Sequence, residues 1–133
     1  MSHYPALRMR RPRAAGWSRR LHAETVLTPA DLIWPLFVTE GNGEEPVATL
    51  PGVSRWGLNG IADRAREARD LGIPCIALFP NTPRDLRSDR GEEALNPDNL
   101  MCRAIKAIKD AAPEIGVLTD VALDPYTSHG HDG

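Results

Sequence analysis

Residues 58–79 read LNGIADRAREARDLGIPCIALF and join an amphipathic helix to an apolar strand. Apolar side chains recur in the first part at intervals of three and four residues, which predicts a helix of about four turns. Gly72 and Pro74 mark its end. The continuous apolar run Cys75 to Phe79 then has the length and composition of a strand buried on both faces of a parallel sheet.

The alternation of strands and helices continues on both sides of this unit. Thr28 and Pro29 predict a short helical turn, followed by a first strand from Pro35 to Val38 with the proline at its first position. A second helix is predicted to begin with Asn96 as its cap and to end near Pro113. The third strand is predicted from Ile115 to Leu118.

Two longer segments separate these elements. Gly41 to Gly57 is rich in glycine and proline and is predicted to be mostly loop, with Val47 to Leu50 as a small pairing excursion. Pro80 to Leu95 is longer than most connections in compact domains, so it is either a functional loop or a solvated surface excursion. Three strands with two crossover helices predict a partial parallel α/β sheet.

Composition limits the class of protein. The chain has 133 residues, of which 41% are hydrophobic, and a formal net charge of -2. It lacks the run of about 18 apolar residues that a membrane span needs and the apolar run of a secretory signal, so we expect a cytoplasmic protein with no membrane partner. Cys75 and Cys102 are too few for a disulfide framework or a four-thiolate zinc site, and both are predicted to be buried free thiols.

Charge is unevenly distributed along the chain. Six arginines and no acid precede Glu24, which leaves 10 basic and 18 acidic residues in the remainder. These arginines are Arg8, Arg10, Arg11, Arg13, Arg19 and Arg20. We call residues 1–27 the basic arm and treat residues 28–133 as the α/β part. The arm is a disordered tail, a nucleic-acid contact or a contact with an acidic neighbouring subunit; the lack of a recognised nucleic-acid-binding module after it argues against the second.

The richest chemistry lies in residues 119–133, which read TDVALDPYTSHGHDG. This segment leaves a strand at its C-terminal end, where parallel α/β folds place their active sites. Strand alternation would put three side chains on one face: Asp120, Ala122 and Asp124. The loop can bring back His129, His131 and Asp132. Carboxylates and imidazoles at this density predict a cation or acid–base site, with solvated loop charges as the alternative.

The segment from Asp120 to Gly133 resembles the metal-switch segment of the 5-aminolevulinic acid dehydratase family, also called porphobilinogen synthase. Three further matches follow in chain order: residues 32–38 (LIWPLFV) resemble the family's first barrel strand, residues 50–53 (LPGV) its following loop, and residues 91–100 its acidic loop and helix start. The resemblance implies an α/β fold, the N-terminal portion of a (β/α)8 TIM barrel preceded by an extended basic arm. A complete barrel needs about 250 residues.

The resemblance also implies an activity. Family members are hydro-lyases that condense two molecules of 5-aminolevulinate into porphobilinogen in haem and other tetrapyrrole biosynthesis, usually as octamers. Their N-terminal arms wrap neighbouring subunits, so we favour a contact with a neighbouring subunit for the basic arm. Their two Schiff-base lysines lie beyond the region matched here, so we expect this chain alone to be inactive. Its only lysines, Lys106 and Lys109, are predicted to be solvated on the second helix, without the desolvated surroundings that an imine-forming lysine needs.

Three positions set this sequence apart within the family. Zinc-dependent members carry cysteines where this chain has Ala122, Asp124 and Asp132. Hard carboxylate oxygens suit magnesium rather than zinc, so the chain resembles the aspartate-rich, zinc-independent branch. The resemblance implies magnesium, in an allosteric role, or a monovalent cation, and no zinc.

We assign candidate roles in the same segment. Asp120 is predicted to position the substrate amine or to shuttle a proton, and Ser128 is a second catalytic candidate. Asp124, Asp132 and His131 are candidates for binding a cation or the substrate amine. Two alternatives stay open: a noncatalytic remnant that keeps only assembly contacts, and an unrelated cation-binding α/β module.

Overall fold

The computed structural model describes residues 3–8 and 10–132. Five strands form one sheet in the order β2-β3-β1-β4-β5. The strands are β1 (Ile33–Val38), β2 (Glu44–Pro46), β3 (Ser54–Trp56), β4 (Cys75–Pro80) and β5 (Gly116–Thr119). The α-helices are α1 (Gly16–Leu21), α2 (Leu58–Leu71) and α3 (Leu100–Ala111). Short 3-10 turns occupy Arg11–Arg13, Pro29–Asp31, Arg84–Leu86 and Glu92–Leu95.

Parallel pairing organises the centre of the sheet. Every residue of β1 pairs with one of β4, from Ile33 opposite Cys75 to Val38 opposite Pro80. The strand β5 pairs in parallel with the other side of β4, and α2 and α3 are the crossover helices. The predicted α/β alternation is confirmed, with the third strand shifted one residue toward the C-terminus.

Both crossover helices pack on one face of the sheet. Alternate strand residues point to the same face, so one set of side chains from β1 and β4 meets the apolar stripes of α2 and α3. The buried core consists of Leu36, Val38, Ile61, Ala65, Ala68, Ile76, Leu78, Leu100, Met101, Ala104, Ile108, Ala112 and Ile115. On the other face, Ile33, Phe79 and Leu118 are exposed. Burial of β4 on both faces was therefore predicted wrongly for Phe79.

The helix α2 ends where the sequence predicts. Gly72 follows it with a φ of 76°, in the left-handed region that favours glycine. Its N–H donates to the carbonyl of Arg69 at 3.0 Å, and the N–H of Ile73 donates to Ala68 at 2.8 Å. These bonds satisfy carbonyls of the last helical turn, so the chain leaves α2 directly toward β4.

The segment predicted as mostly loop contains two strands. Glu44–Pro46 pairs antiparallel with Ser54–Trp56, and the Ser54 hydroxyl donates to the Glu44 carboxylate at 2.7 Å. The turn between them closes through the Val47 N–H and the Val53 carbonyl at 2.9 Å, so Val47 to Leu50 forms no strand. Strands of three residues are too short to show apolar alternation, and the sequence pattern therefore cannot reveal them.

Pro35 lies third in its strand rather than first. The reason is that β3 pairs only with Phe37 and Val38 of β1, so one side of the strand has no strand partner at Pro35. A proline, which has no N–H to donate, is tolerated at such an edge-like position.

The start of α3 also differs from the prediction. Asn99, not Asn96, is the cap, and its side-chain oxygen accepts a hydrogen bond from the Cys102 N–H at 2.9 Å. Asn96 instead accepts from the Asp98 N–H at 3.0 Å in the preceding turn. Both asparagines are competent caps, and the tertiary position of the chain selects the later one.

The two cysteines differ in exposure. Both are free, but Cys75 is only partly buried and Cys102 is exposed on α3. The prediction that both are buried was wrong, because the side of α3 that carries Cys102 faces away from the helix's core stripe.

The basic arm is not extended throughout, since it contains a 3-10 turn and the short helix α1. It joins the α/β part at Thr28, whose N–H and hydroxyl both donate to the Asp31 carboxylate at 2.8 and 2.9 Å. These bonds hold the pKa of Asp31 below its ordinary value and confirm the predicted turn. Within the described ranges, the helices are too short or too polar to cross a membrane.

A substitution at Gly57 tests the close approach of the chain before α2. A Cβ atom added at Gly57 would lie 1.8 Å from the Gly41 carbonyl oxygen, so Gly57→Ala should destabilise the protein by about 1–3 kcal/mol through overpacking. Gly43→Ala is the matched control, because a Cβ there meets nothing within 4 Å. Thermal unfolding measures both variants, and equal melting temperatures would contradict the close approach.

A second pair of variants tests the packing of α3. Ile108 is fully buried between α3 and the sheet, so Ile108→Ala should cost about 2–5 kcal/mol of stability through lost burial and a cavity. Lys106 lies on the same helix with its side chain 75% exposed, and Lys106→Ala should change stability by less than about 0.5 kcal/mol. Denaturant unfolding measures the free energy of unfolding of both variants. A loss of less than about 1 kcal/mol in Ile108→Ala would contradict the packing of α3 against the core.

Candidate functional site

A cavity of about 490 Å³ lies near the carboxyl ends of the parallel strands. The rings of Phe37 near the end of β1 and Phe79 near the end of β4 line it, with their centres 5.8 Å apart and their planes tilted by 45°. The side-by-side pairing of β1 and β4 places these rings on neighbouring strands. This is the sheet edge at which parallel α/β folds carry their ligands.

The segment after β5, residues 120–132, contributes the acidic wall of the cavity, and we call it the terminal loop. Asp120, Ala122 and Asp124 all line the cavity. The strand β5 ends at Thr119, so a loop rather than strand alternation brings these three residues together. Their predicted proximity is confirmed, and the predicted cause is wrong.

Asp132 has a different place. Its Oδ1 accepts hydrogen bonds from the N–H groups of Leu123 at 2.6 Å and Asp124 at 3.0 Å. The Asp132 carboxylate therefore closes the terminal loop on itself and is not among the side chains that line the cavity.

Ser128 and the two histidines lie beside the loop after β4. The Ser128 hydroxyl donates to the Asp89 carboxylate, and His129 Nε2 lies 3.3 Å from the Asp89 carbonyl oxygen. His129 Nδ1 accepts from the His131 N–H at 3.2 Å, and the two imidazoles stack with centres 5.9 Å apart. In this pattern the His129 Nε2–H donates to the Asp89 carbonyl oxygen. The structure places all three in loop contacts and does not place them on the cavity wall.

The predicted cation has a partial set of oxygen donors. Within residues 3–8 and 10–132, no three side chains of His, Cys, Asp or Glu lie close enough together to hold a metal ion. Asp120 and Asp124 offer two carboxylates to the cavity. Magnesium keeps several waters and is bound through one or two carboxylates, so two suffice chemically and the cation stays a prediction.

Several cavity residues were missed from the sequence. They are Phe37, Arg55, Phe79, Arg87 and Tyr126. Two lie at the ends of predicted strands, a position that parallel folds use for ligands and that could have identified them. The arginines had no such signal, because only tertiary contact brings β3 and the loop after β4 to this edge.

Two of these missed side chains have defined environments. Arg87 donates through Nε and Nη2 to the Thr82 carbonyl at 2.9 and 2.8 Å, which stiffens the loop after β4. Tyr126 is buried, and burial raises the pKa of its phenol above the ordinary value, with smaller contributions from Cys102 and Glu93. The phenol therefore stays protonated at neutral pH and can donate a hydrogen bond.

Both lysines are exposed on α3, as predicted, and neither is among the residues that line the cavity. Lys106 is exposed on α3 and pairs with Asp110 at 2.7 Å. Lys109 donates to the carbonyls of Pro113 and Ile115 at the end of the same helix. Neither amine is in the desolvated surroundings that imine formation at neutral pH needs.

A second concave region, of about 920 Å³, lies against the basic arm. Three arginines line it together with Tyr4, whose ring centre is 5.7 Å from the Arg8 guanidinium carbon. Its lining, as far as the structure describes it, carries positive charge.

Comparison with known proteins agrees with the geometry. The family model for delta-aminolevulinic acid dehydratase matches residues 6–133. The delta-aminolevulinic acid dehydratase of Bradyrhizobium diazoefficiens is 57% identical over 129 residues, covering 96% of this chain and 36% of that protein. The chloroplastic enzyme of Selaginella martensii is 48% identical over 127 residues, covering 95% of this chain and 30% of that protein.

A solved structure is similar as well. Delta-aminolevulinic acid dehydratase (porphobilinogen synthase) from Toxoplasma gondii, in complex with the reaction product porphobilinogen, superposes with a TM-score of 0.88 at 43% identity. That structure is a TIM barrel, and the match covers 96% of this chain and 36% of that one. The chain thus spans about a third of the length of these relatives. With its match over residues 6–133, the chain belongs to the delta-aminolevulinic acid dehydratase family.

Proposed function

We propose that this chain forms the N-terminal third of a porphobilinogen synthase, which condenses two molecules of 5-aminolevulinate into porphobilinogen with loss of water in haem and other tetrapyrrole biosynthesis. The observation that carries the proposal is the cavity near the carboxyl ends of the parallel strands, lined by Asp120 and Asp124, in a chain of this family. The sheet is then the first part of a TIM barrel that later sequence completes.

The charges of the cavity support this substrate. 5-Aminolevulinate carries an ammonium and a carboxylate, and both signs of charge line the cavity through Asp120, Asp124, Arg55 and Arg87. A zwitterion is bound best where each charged end finds an opposite charge. The rings of Phe37 and Phe79 add an apolar surface to the same cavity, which suits the methylene groups of the substrate.

In the proposed reaction the residues of this chain handle the amine and its protons. Asp120 stabilises the substrate ammonium and accepts a proton from it, which leaves a free amine for C–N bond formation. Asp124 adds a second negative charge at the same wall, and the neutral Tyr126 phenol donates a hydrogen bond. The two lysines that hold the substrates as imines belong to later barrel strands. Asp132 and Ser128 form hydrogen bonds that hold the terminal loop in its conformation.

A cation fits beside this role. Asp124 would hold magnesium or a monovalent cation through its carboxylate oxygens, with His131 needing a rearrangement of its loop to take part. Magnesium, when bound, supplies positive charge that fixes the orientation of the carboxylates. Asp124 and Asp132 offer carboxylate oxygens where zinc-dependent family members carry cysteines, which supports an enzyme that works without zinc.

The exposed side chains of the basic arm favour a homo-oligomer, which we propose to be an octamer. We further propose that it works in the cytoplasm and binds neither nucleic acid nor a membrane. In the part of the arm that the structure describes, large apolar side chains are exposed, among them Trp17, Leu21, Val26 and Leu27. Exposed apolar groups between arginines favour a protein contact, because a contact with nucleic acid would use the arginines and leave the apolar groups in water.

Imine trapping tests the proposed function. In the protein of full family length, labelled 5-aminolevulinate followed by borohydride should modify lysines outside residues 1–133 and should leave Lys106 and Lys109 unmodified, because both are solvated on α3. Peptide mass spectrometry locates the label, and a colour assay for the pyrrole product measures turnover.

The outcomes separate the alternatives. Label on Lys106 or Lys109 would overturn the assignment of the lysines. Assembly without pyrrole formation would favour a noncatalytic remnant, and tight cation binding without imine formation would favour a cation-binding module.

A second experiment tests the role of Asp120. Asp120→Asn keeps the size of the side chain but removes its charge and basicity, so kcat/KM should fall about 100-fold to 10,000-fold while the melting temperature stays unchanged. Asp110→Asn is the control, because that carboxylate pairs with Lys106 on the surface of α3. Full activity of the Asp120 variant would exclude a part in proton transfer.

A further inference from the structure

Two loops meet at the rim of the cavity. The loop of residues 82–92 follows β4, and the terminal loop follows β5. Ser88 and Thr127 form a parallel β-bridge between them. The Ser88 N–H donates to the Tyr126 carbonyl at 3.2 Å, and the Ser128 N–H donates to the Ser88 carbonyl at 2.9 Å.

Side chains reinforce this backbone contact. The Ser128 hydroxyl donates to the Asp89 carboxylate, and His129 Nε2 lies 3.3 Å from the Asp89 carbonyl oxygen. On the other side, the Ser88 hydroxyl donates to the Glu92 carboxylate. We call the four residues Ser88, Asp89, Thr127 and Ser128 the rim clasp.

The two loops also pack closely next to the rim clasp. Gly91 has a φ of 65°, and a Cβ atom added there would lie 3.5 Å from both Tyr126 Cβ and Thr127 Cγ2. A glycine in the left-handed region lets the loop of residues 82–92 turn directly onto the terminal loop.

The rim clasp joins the two walls of the cavity. Arg87 lines the cavity one residue before Ser88, and Tyr126 lines it one residue before Thr127. A small movement of either loop at the rim clasp therefore moves a cavity side chain directly.

Strand pairing stops at the start of the terminal loop, and the buried side chain of Tyr126 is an anchor for the loop beside the rim clasp. Regular strand structure ends at Thr119, and Val121 is fully exposed. The loop is closed internally, by Asp132 on the N–H groups of Leu123 and Asp124 and by the Thr127 hydroxyl on the His131 carbonyl at 2.8 Å. It therefore forms one unit, which the rim clasp and the buried Tyr126 side chain hold in place.

We propose that the rim clasp sets the position of the terminal loop, and that Asp89 is a positioning residue that acts through Ser128 to keep Asp120 and Asp124 at the cavity. This inference rests on the proposed function for its kinetic readout. Asp89 contacts no reacting atom; it fixes the position of the terminal loop, which carries Asp120 and Asp124. Its carboxylate makes a charge-assisted hydrogen bond, which is stronger than the same bond between neutral groups.

The test compares Asp89→Ala with Asp89→Asn in the protein of full family length. Alanine removes the acceptor of the Ser128 hydroxyl, so KM for 5-aminolevulinate should rise and kcat/KM should fall at least about tenfold. Asparagine keeps an acceptor oxygen and should stay within about threefold of the parent protein. Asp85→Ala changes the same residue type in the same loop without touching the rim clasp, and it should match the parent protein.

Two further measurements separate positioning from stability. Ser128→Ala should reproduce the effect of Asp89→Ala, and the double variant should be no worse than either single one, because both remove the same bond. A merely structural role would lower the melting temperature and leave KM unchanged. Additive effects in the double variant, or an unchanged KM in Asp89→Ala, would overturn the proposal.

Hydrogen exchange gives a readout that needs no activity. Amide exchange at Asp124 and Ser128 should be faster in Asp89→Ala than in Asp89→Asn, while exchange in β4 stays the same. Equal amide exchange rates in the two variants would contradict the proposed role of the rim clasp, even if the enzyme is active. A parent protein that forms no pyrrole would refute the proposed function alone, because this exchange difference is still measured.

Discussion

The parallel pairing of β1 with β4 is the constraint on which the rest of the structure depends. Six consecutive residue pairs hold the two strands in one register, and α2 can cross back only on one face of them. Because parallel strands end at the same edge, Phe37, Phe79 and the loops after β4 and β5 meet there. The position of the candidate site follows from the register of the sheet before any loop contact is considered.

Burial on a single face has a functional consequence. The helices α2 and α3 cover the face that carries Leu36 and Ile76, while Ile33 and Leu118 on the other face remain exposed. In a closed barrel that second face is the interior, which side chains from all the strands fill together. The asymmetry of this sheet therefore agrees with the proposed barrel, in which later strands supply both the missing packing and the imine-forming lysines.

The terminal loop divides its polar residues between two tasks. Asp120 and Asp124 line the cavity, whereas Asp132 and Ser128 form hydrogen bonds that hold the loop. Similar residue types serve both tasks because a carboxylate accepts backbone N–H groups as readily as it binds an ammonium. The chemistry of such a segment is consequently decided by geometry, and residue type alone does not assign it.

The sequence by itself determined the elements whose signal is local. The stripe of α2 with Gly72 at its end, the apolar run of β4 and the concentration of carboxylates after β5 all follow from neighbouring residues. The last of these also carried most of the family resemblance. Only the tertiary structure decided the pairing of β2 with β3, the choice of Asn99 over Asn96 as the cap and the engagement of Asp132 with the backbone. Each of these depends on contacts between chain segments or on a choice between equally suited local partners, and side-chain periodicity carries no information about either.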